Sequence, residues 1–388
     1  MNTHDLKSRY YRLRGLQWNI IAAVMFLSVF GIIMSFSCSM DMGAMWRHAG
    51  FVVAGIICML IMQRFPYRIL GNKAKIAYIV SIIVILLLLV PGIGVSSHGA
   101  TRWLKIGGIT VQAAEIVKLC MIVFLADLIS GHIYAMNRGK SVVLIWIYVG
   151  VIAGMVLVIS SNLSSCLILL MMTFAMTFIS GNQQKMHIGI LLIALLVVAG
   201  IYWYFKNHLP DPSELEDMEY HLVRIVTWIA PEKYQSDESY QILQGLYAIG
   251  SGGLMGVGLG NSMQKYVLPE ASNDMIVCII VEEMGLVGIT GLILLFLYLF
   301  YHIYLVAIHT EELFGRLLCA GVLFHLVFQT ITNIAVAVNA IPNTGVSLPF
   351  ISSGGTSILV IFCQIGIVLS VQKREVKRLR KKIAALEK

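Results

Sequence analysis

The chain has 388 residues, of which 58% are apolar and only 12% charged, with a formal net charge of +8. A soluble domain is nearer half apolar and about a quarter charged, so a water-soluble enzyme is excluded, and disorder with it. What remains is an all-α polytopic membrane protein.

A spanning helix needs about 20 mostly apolar residues. Ten stretches meet or approach that: 16–37, 48–63, 76–96, 113–130, 142–159, 163–180, 187–205, 275–303, 312–340 and 354–371. The first follows a basic N-terminus (residues 1–15), is too long for a signal-peptide core and lacks a clean cleavage site, so it reads as a retained anchor. Ten spans put both termini on one side. With that side assigned to the cytoplasm, 20 of the 28 Lys and Arg residues fall inside: four before the first span, four in 64–75, two near 131–141, Lys185, Arg316 and eight in the tail. This asymmetry is the positive-inside pattern. The domain plan is therefore 1–15, a transmembrane domain 16–371, and a basic tail 372–388. In the tail Val376, Leu379, Ile383 and Leu386 repeat at helical spacing. That face suits an anchor lying along anionic lipid.

In chain order, the fourth span carries Glu115 and Lys118 at i, i+3 on one helix face. Two readings stand: an ion pair that satisfies itself, or a Lys118 cation offered to an anionic headgroup. Residues 206–274 form the one large extracytoplasmic loop, with ten acids against four bases. Its stretch Gly245–Gly260, GLYAIGSGGLMGVGLG, holds seven glycines and fits a re-entrant segment at membrane depth. No G-K-[ST] follows, so it is not a nucleotide phosphate loop.

Asp274 stands at the outer mouth of the eighth span, and Glu282 and Glu283 follow inside it. Eight residues separate Asp274 from Glu282, about 80° on a helical wheel, so both could face one cavity. A partly desolvated carboxylate there can serve as a base; Asp also suits a helix N-cap. Gln329 and Asn333, at i, i+4 in the ninth span, can hydrogen-bond between helices. The ten His show no HExxH spacing and the seven Cys no C-x-x-C, so a metal site built from them is not expected. Asn162-Leu163-Ser164 matches a glycosylation acceptor by chance, at a span boundary.

Three blocks in order resemble one family. Gly99-Ala100-Thr101-Arg102-Trp103 through Gln112-Ala113-Ala114-Glu115-Ile116-Val117-Lys118-Leu119 is similar to GA-x-RW…Q-P-x-E-x-x-K-L. Gly250-Ser251-Gly252-Gly253, Gly260-Asn261-Ser262-x-Gln264-Lys265, Leu268-Pro269-Glu270-Ala271-x-x-Asp274 and Glu282-Glu283-x-Gly285-Leu286 are similar to GSGG…GxGxGxSxQK…LPEAHTDF…EELG. Thr344-Gly345-x-x-Leu348-Pro349-Phe350-Ile351-Ser352-x-Gly354-Gly355 is similar to TG-x-PLPFISYGG. By these blocks the chain resembles the SEDS (shape, elongation, division and sporulation) family of FtsW/RodA/SpoVE-like proteins.

The resemblance implies a peptidoglycan glycosyltransferase that polymerises lipid II at the outer face of the cytoplasmic membrane, in division, shape or sporulation. It implies Asp274 as the family's essential aspartate, that of the HTD triplet, with Arg102, Glu115, Lys118, Arg224, Lys265, Glu270 and Ser352 at or near the substrate cavity. It implies a class B penicillin-binding protein as partner, beside other divisome or elongasome membrane proteins; no nucleic acid is expected. Asp274 would take the acceptor hydroxyl proton, and cations would steady the departing lipid diphosphate. A divalent cation (Mg or Mn) on the diphosphate fits this chemistry, and no organic cofactor is needed. A lipid II flippase would use the same cationic cavity without a base. A non-catalytic scaffold of the cell-wall machinery would use neither.

The chain departs from the family pattern at defined places. Ser160-Ser161-Asn162-Leu163-Ser164-Ser165 stands for Q-P-D-L-G-T, so an acid becomes the neutral Asn162. HTD is Ser272-Asn273-Asp274, the FISYGG tyrosine is Ser353, and the proline after Gln112 is Ala113.

Overall fold

The structure, a computed structural model, describes residues 3–97, 100–107, 109–181, 183–234 and 236–387. Gly99 of the first block and Lys388 of the tail lie outside them. Thirteen α-helices and one small sheet are present among the described residues. The helices are α1 (Thr3–Ser39), α2 (Met42–Arg64), α3 (Arg68–Asn72), α4 (Ala74–Leu86), α5 (Ala113–Gly131), α6 (Gly139–Ser160), α7 (Leu163–Ser180), α8 (Gln184–Asn207), α9 (Tyr220–Ile229), α10 (Asp237–Gly252), α11 (Ile276–His309), α12 (Leu313–Ala337) and α13 (Thr356–Leu386). All ten expected spans are helical over most of their length. Eight helices are long and apolar enough to cross a membrane. The other two expected spans fall short for physical reasons: α4 is short, and α5 carries Glu115, Lys118 and Asp127.

Local chemistry sets the boundaries. Asp41 caps α2 by accepting from the Gly43 and Ala44 amides at 2.8 and 3.0 Å. Ser161, at φ +45°, ends α6, and the Asn162 side chain caps α7 by accepting from the Ser165 amide at 2.9 Å. That cap is a full occupation for Asn162, and the acid of the family pattern would cap equally well.

The structure corrects three expectations. The third span does not run to 96: helix gives way near Leu89, and Gly94–Ser97 is strand β1. β1 pairs antiparallel with β2 (Ala100–Ile106), which pairs with β3 (Ile109–Gln112), in the order β1-β2-β3. The basic tail is not a separate segment but the last turns of α13. Its apolar face is read correctly, yet it packs on protein. Leu379 is buried in the core with Leu6 and Leu13, and the Gln372 amide donates to the Leu13 carbonyl at 2.6 Å. Finally, α11 is not one helix but breaks at Gly285, at φ +66° and ψ −165°.

The bundle is layered around α12 and α13, whose apolar stretches are 67% and 78% buried, whereas that of α8 buries none of its residues. In a membrane protein, exposure of this kind is a lipid-facing surface. Small residues draw the inner helices together: a Cβ on Gly366 of α13 would sit 2.6 Å from the Met59 carbonyl of α2. One end of the bundle holds both termini and the α11–α12 turn. The other collects the sheet, α9, α10 and the loops 253–275 and 338–355.

Candidate active site

The Gly-rich segment is split by the structure. Its first half completes α10, and residues 253–263 form a loop against the break in α11. The Val257 and Gly258 amides donate to the Glu282 and Glu283 carbonyls, each at 2.9 Å. A Cβ on Gly285 would collide with the Leu254 and Gly256 backbone, so only glycine allows this contact. Leu254, Met255, Leu259 and Met263 project outward and exposed. An irregular loop with an apolar outer surface and its backbone covered by protein is what a re-entrant segment requires.

This loop also consumes the acids of α11. Glu282 accepts from the Ser262 hydroxyl and from the Met263 and Gln264 amides at 3.0 and 3.3 Å. Glu283 accepts from the Ser37 hydroxyl of α1 at 2.5 Å. Lys265, 6% exposed, donates to the Ser37 and Gly260 carbonyls at 3.0 and 2.6 Å. Glu282 and Lys265 thus tie the loop to the bundle. The expectation that Glu282 shares a cavity with Asp274 is not met, because Asp274 lies in a turn before the helix, where wheel angles do not apply.

Asp274 is 9% exposed at the base of that turn. Glu270 opens it at φ +54°, and its carbonyl accepts from the Asn273 and Met275 amides. The Asn333 amide of α12 bridges the carbonyls of Asp274 (2.8 Å) and Val346 (2.7 Å). Ser352, 1% exposed, donates to the Asn273 carbonyl at 2.5 Å while accepting from the Leu348 amide at 2.7 Å. The Ser353 amide donates to the Ser272 carbonyl at 2.9 Å. The second and third sequence blocks are therefore bolted together, with the Asp274 carboxylate between them. One of its oxygens lies 3.7 Å from where a Gly345 Cβ would be.

The charges acting on Asp274 come from its own turn and from two distant segments. Burial pushes its carboxyl up to about 7, and nearby Glu270 pushes the same way, against the pull of Arg224 and Arg102. Arg102, on β2, is oriented by the Ser161 carbonyl at 2.8 Å. Arg224, on α9, donates to the Asn343 carbonyl at 3.0 Å, and Trp228 one turn on fixes α9 through the Asn339 carbonyl at 3.0 Å. A buried carboxylate with a proton affinity near neutrality and two guanidiniums beside it can accept a proton next to a stabilised anion.

The remaining expected residues sit one layer away. Glu115 and Lys118 form a buried ion pair at 2.6 Å, and Lys118 continues to the Gln329 side chain at 3.3 Å. Gln329 in turn donates to the Ser347 carbonyl at 2.9 Å. So the pair is joined to the third block but is not among the charges acting on Asp274. Sequence reasoning missed Asn343, whose amide meets Gln241 at 2.7 Å and whose oxygen accepts from the Gly345 amide at 3.1 Å. A lone Asn in a loop gives no signal of that. Among the described residues no three His, Cys, Asp or Glu side chains form a metal nest.

Residues 16–377 match the model of a family described as "Cell cycle protein", that of FtsW, RodA and SpoVE. A "Probable peptidoglycan glycosyltransferase FtsW" of Trichlorobacter lovleyi is 30% identical, over 95% of this chain and 96% of that protein. The "Stage V sporulation protein E" of Bacillus subtilis is 29% identical, over 91% of this chain and 96% of its own length. In structure the chain is similar to the rod shape determining protein RodA of Thermus thermophilus, with a TM-score of 0.67 and 23% identity over 92% of this chain and 97% of that one. It is also similar to a chain of a solved complex described as "Structural coordination of polymerization and crosslinking by a peptidoglycan synthase complex". There the TM-score is 0.76 and the identity 22%, over 92% of this chain and 98% of that one.

Proposed function

Because the chain belongs to the FtsW/RodA/SpoVE family, we propose that it is a peptidoglycan glycosyltransferase that polymerises lipid II, with Asp274 as general base. The observation that carries this reading is the buried Asp274 carboxylate, with its raised proton affinity, on which the charges of Arg102 and Arg224 act. The Asp274 carboxylate takes the proton from the acceptor sugar hydroxyl as that oxygen bonds to the anomeric carbon of the donor. The anomeric carbon–oxygen bond breaks, and undecaprenyl diphosphate departs with the electron pair. Arg102 and Arg224, each held by a backbone carbonyl, face the charge that develops on the diphosphate. Ser352 and Asn333 keep the base in place. Glu115, Lys118, Lys265 and Glu270 act around this centre rather than on the reacting atoms, Glu270 by raising the base's proton affinity.

A divalent cation, magnesium or manganese, would be carried in on the diphosphate oxygens, since among the described residues no three His, Cys, Asp or Glu side chains form a site for it. When bound it would neutralise diphosphate charge. By the charge asymmetry of the sequence, the site end of the bundle faces outward from the cytoplasmic membrane and both termini face the cytoplasm. The fold likeness to a chain of a peptidoglycan synthase complex supports a class B penicillin-binding protein as partner.

The test is polymerisation of labelled lipid II by the purified protein with its candidate partner, beside Asp274→Asn. Loss of about 10²–10⁴-fold in the variant is expected from removing a general base. Equal activity in both would overturn the role of Asp274. Activity in neither, with an established polymerase working alongside, would favour transport or scaffolding.

A further inference from the structure

On the other side of the Asp274 turn lies a cavity of about 280 Å³ between the end of α1 and the start of α2. His48, Phe51, Arg47, Ser272, Asn273 and Ser353 line it, and Asp274 does not. Three of these are among the positions at which the chain leaves the family pattern. Ser272 stands for the His of HTD, Asn273 for its Thr, and Ser353 for the Tyr of FISYGG. Two ring side chains have become hydroxymethyl groups at one place in space, although the positions are 81 residues apart in the chain.

The lining specifies the occupant. His48 is only 3% exposed, and neither ring nitrogen has a hydrogen-bond partner among the described residues. Both nitrogens are closed off as the ring stands, and because buried polar groups are normally satisfied, a ligand toward which the ring turned would supply the bond it lacks. Arg47 is the one cation on the described lining, and its guanidinium already faces Asp41 at 3.6 Å. The rest of the polar lining is neutral: hydroxyls and the Asn273 amide. That combination suits an uncharged polar ligand, whereas a diphosphate has Arg102 and Arg224 across the turn. Phe51 adds an aromatic face, whose ring would lie 3.7 Å from a Gly355 Cβ. Neutral hydrogen-bonding groups around an aromatic face are the chemistry that holds a sugar ring. The space equals about nine liquid waters, near the lower end of ligand pockets, which accommodates one substituted pyranose.

We propose that this cavity is a neutral sugar subsite, opened in this chain by Ser272 and Ser353, that holds a sugar of the glycan next to the one reacting at Asp274. The assignment of the sugar to the glycan rests on the polymerase reading; the saccharide chemistry of the cavity does not. The Asn273–Asp274 step then divides the work, with Asn273 on the cavity side and Asp274 on the reacting side.

The experiment measures binding, without turnover, of the uncharged β-1,4-linked tetramer of N-acetylglucosamine to the full chain in detergent, by calorimetric titration. Inorganic pyrophosphate serves as competitor. Saturable binding is expected, weakened about tenfold or more by Ser353→Tyr and by His48→Leu, and kept within about twofold by His48→Gln and Asp274→Asn. Pyrophosphate should not displace the tetramer. Thermal unfolding of each variant guards against misfolding, and Ser272→His is a second way to fill the space. No saturable binding, binding indifferent to both Ser353→Tyr and His48→Leu, or displacement by pyrophosphate would each overturn the proposal. Binding that behaves as expected in a protein that fails to polymerise lipid II would keep the sugar site and remove only its assignment to the growing glycan.

Discussion

Two acidic residues eight positions apart, Asp274 and Glu282, occupy opposite environments. Glu282 has three donors from the 262–264 loop and fastens a re-entrant segment to the bundle. Asp274 has its backbone held by Asn333, while its carboxylate is buried beside a second acid and two guanidiniums. Both are nearly buried and both belong to one sequence block. What makes Glu282 a fastening is the set of donors its carboxylate already holds, whereas the Asp274 carboxylate lies in the field of a second acid and two guanidiniums. The cations differ in the same way: Lys265 joins the Gly260 carbonyl of the loop to the Ser37 carbonyl of α1, whereas Arg102 and Arg224 act on the Asp274 carboxylate.

The largest expected effect comes from exchanging the fates of these acids. Glu282→Ala removes the acceptor for one hydroxyl and two amides in a buried setting, at a cost of about 3–5 kcal/mol. Thermal unfolding in detergent should show it, with activity lost only because fold is lost. Asp274→Asn should do the reverse, losing activity while the fold gains. The Asp274 carboxyl is held above its ordinary 3.8, at about 7, so the folded state favours the protonated form. Its contribution to stability is therefore fully present below the ordinary value and lost as pH rises through about 7. Replacing it by the neutral amide should stabilise the protein at pH 8 and not at pH 4, by up to about 4 kcal/mol for a shift from 3.8 to about 7. An Asp274→Asn variant that is less stable at pH 8 would break the comparison.

The next effect is on the pH profile. A base must be ionised, so polymerisation should fall as pH drops through about 7. Arg224 lowers the proton affinity of Asp274. Arg224→Gln should therefore move the midpoint upward by roughly half to one pH unit, beyond any fall in the maximum rate. A lowered rate with an unmoved midpoint would mean that Arg224 acts only on the substrate.

Much of this is legible in the sequence, for reasons that differ by region. The spans follow from apolar runs, since a helix is the local way to satisfy a backbone in lipid. The sheet was not anticipated, although Pro91-Gly92 breaks the third apolar run and Gly107-Gly108 separates two stretches of strand-forming residues. The apolar residues on either side of Pro91 masked that turn. The tail's apolar stripe was plain, but an amphipathic face does not say whether it meets lipid or protein. Asp274 stands out in the sequence by its place at a span mouth. Its meeting with Arg102 and Arg224 could not be read from spacing, because β2 and α9 reach it only through tertiary folding. The family resemblance supplied that set, and it also supplied Lys265, which the structure puts to work on the loop.

The smallest effect tests the same rule at the opposite end of the bundle. Glu311, in the α11–α12 turn, faces Lys382 at 2.8 Å and Arg378 at 3.0 Å from α13, and Arg9 at 3.3 Å from α1. The hydrogen bond from Lys382 holds its carboxyl below the usual range, helped by Arg378 and Arg9 against partial burial. That contribution is present above the ordinary value and is lost as pH falls through the folded one. Glu311 has as many partners as Glu282, yet its side chain is 24% exposed and its donors are long, hydrated side chains that must be ordered to reach it. Surface pairs of this kind contribute about 0–1 kcal/mol and weaken with salt. Glu311→Gln should therefore lower the unfolding midpoint slightly at low ionic strength and hardly at all in high salt. A cost near that of Glu282→Ala would mean that the number of donors alone decides. A small, salt-sensitive cost would show that burial and rigid donors are what turn an acid into a fastening.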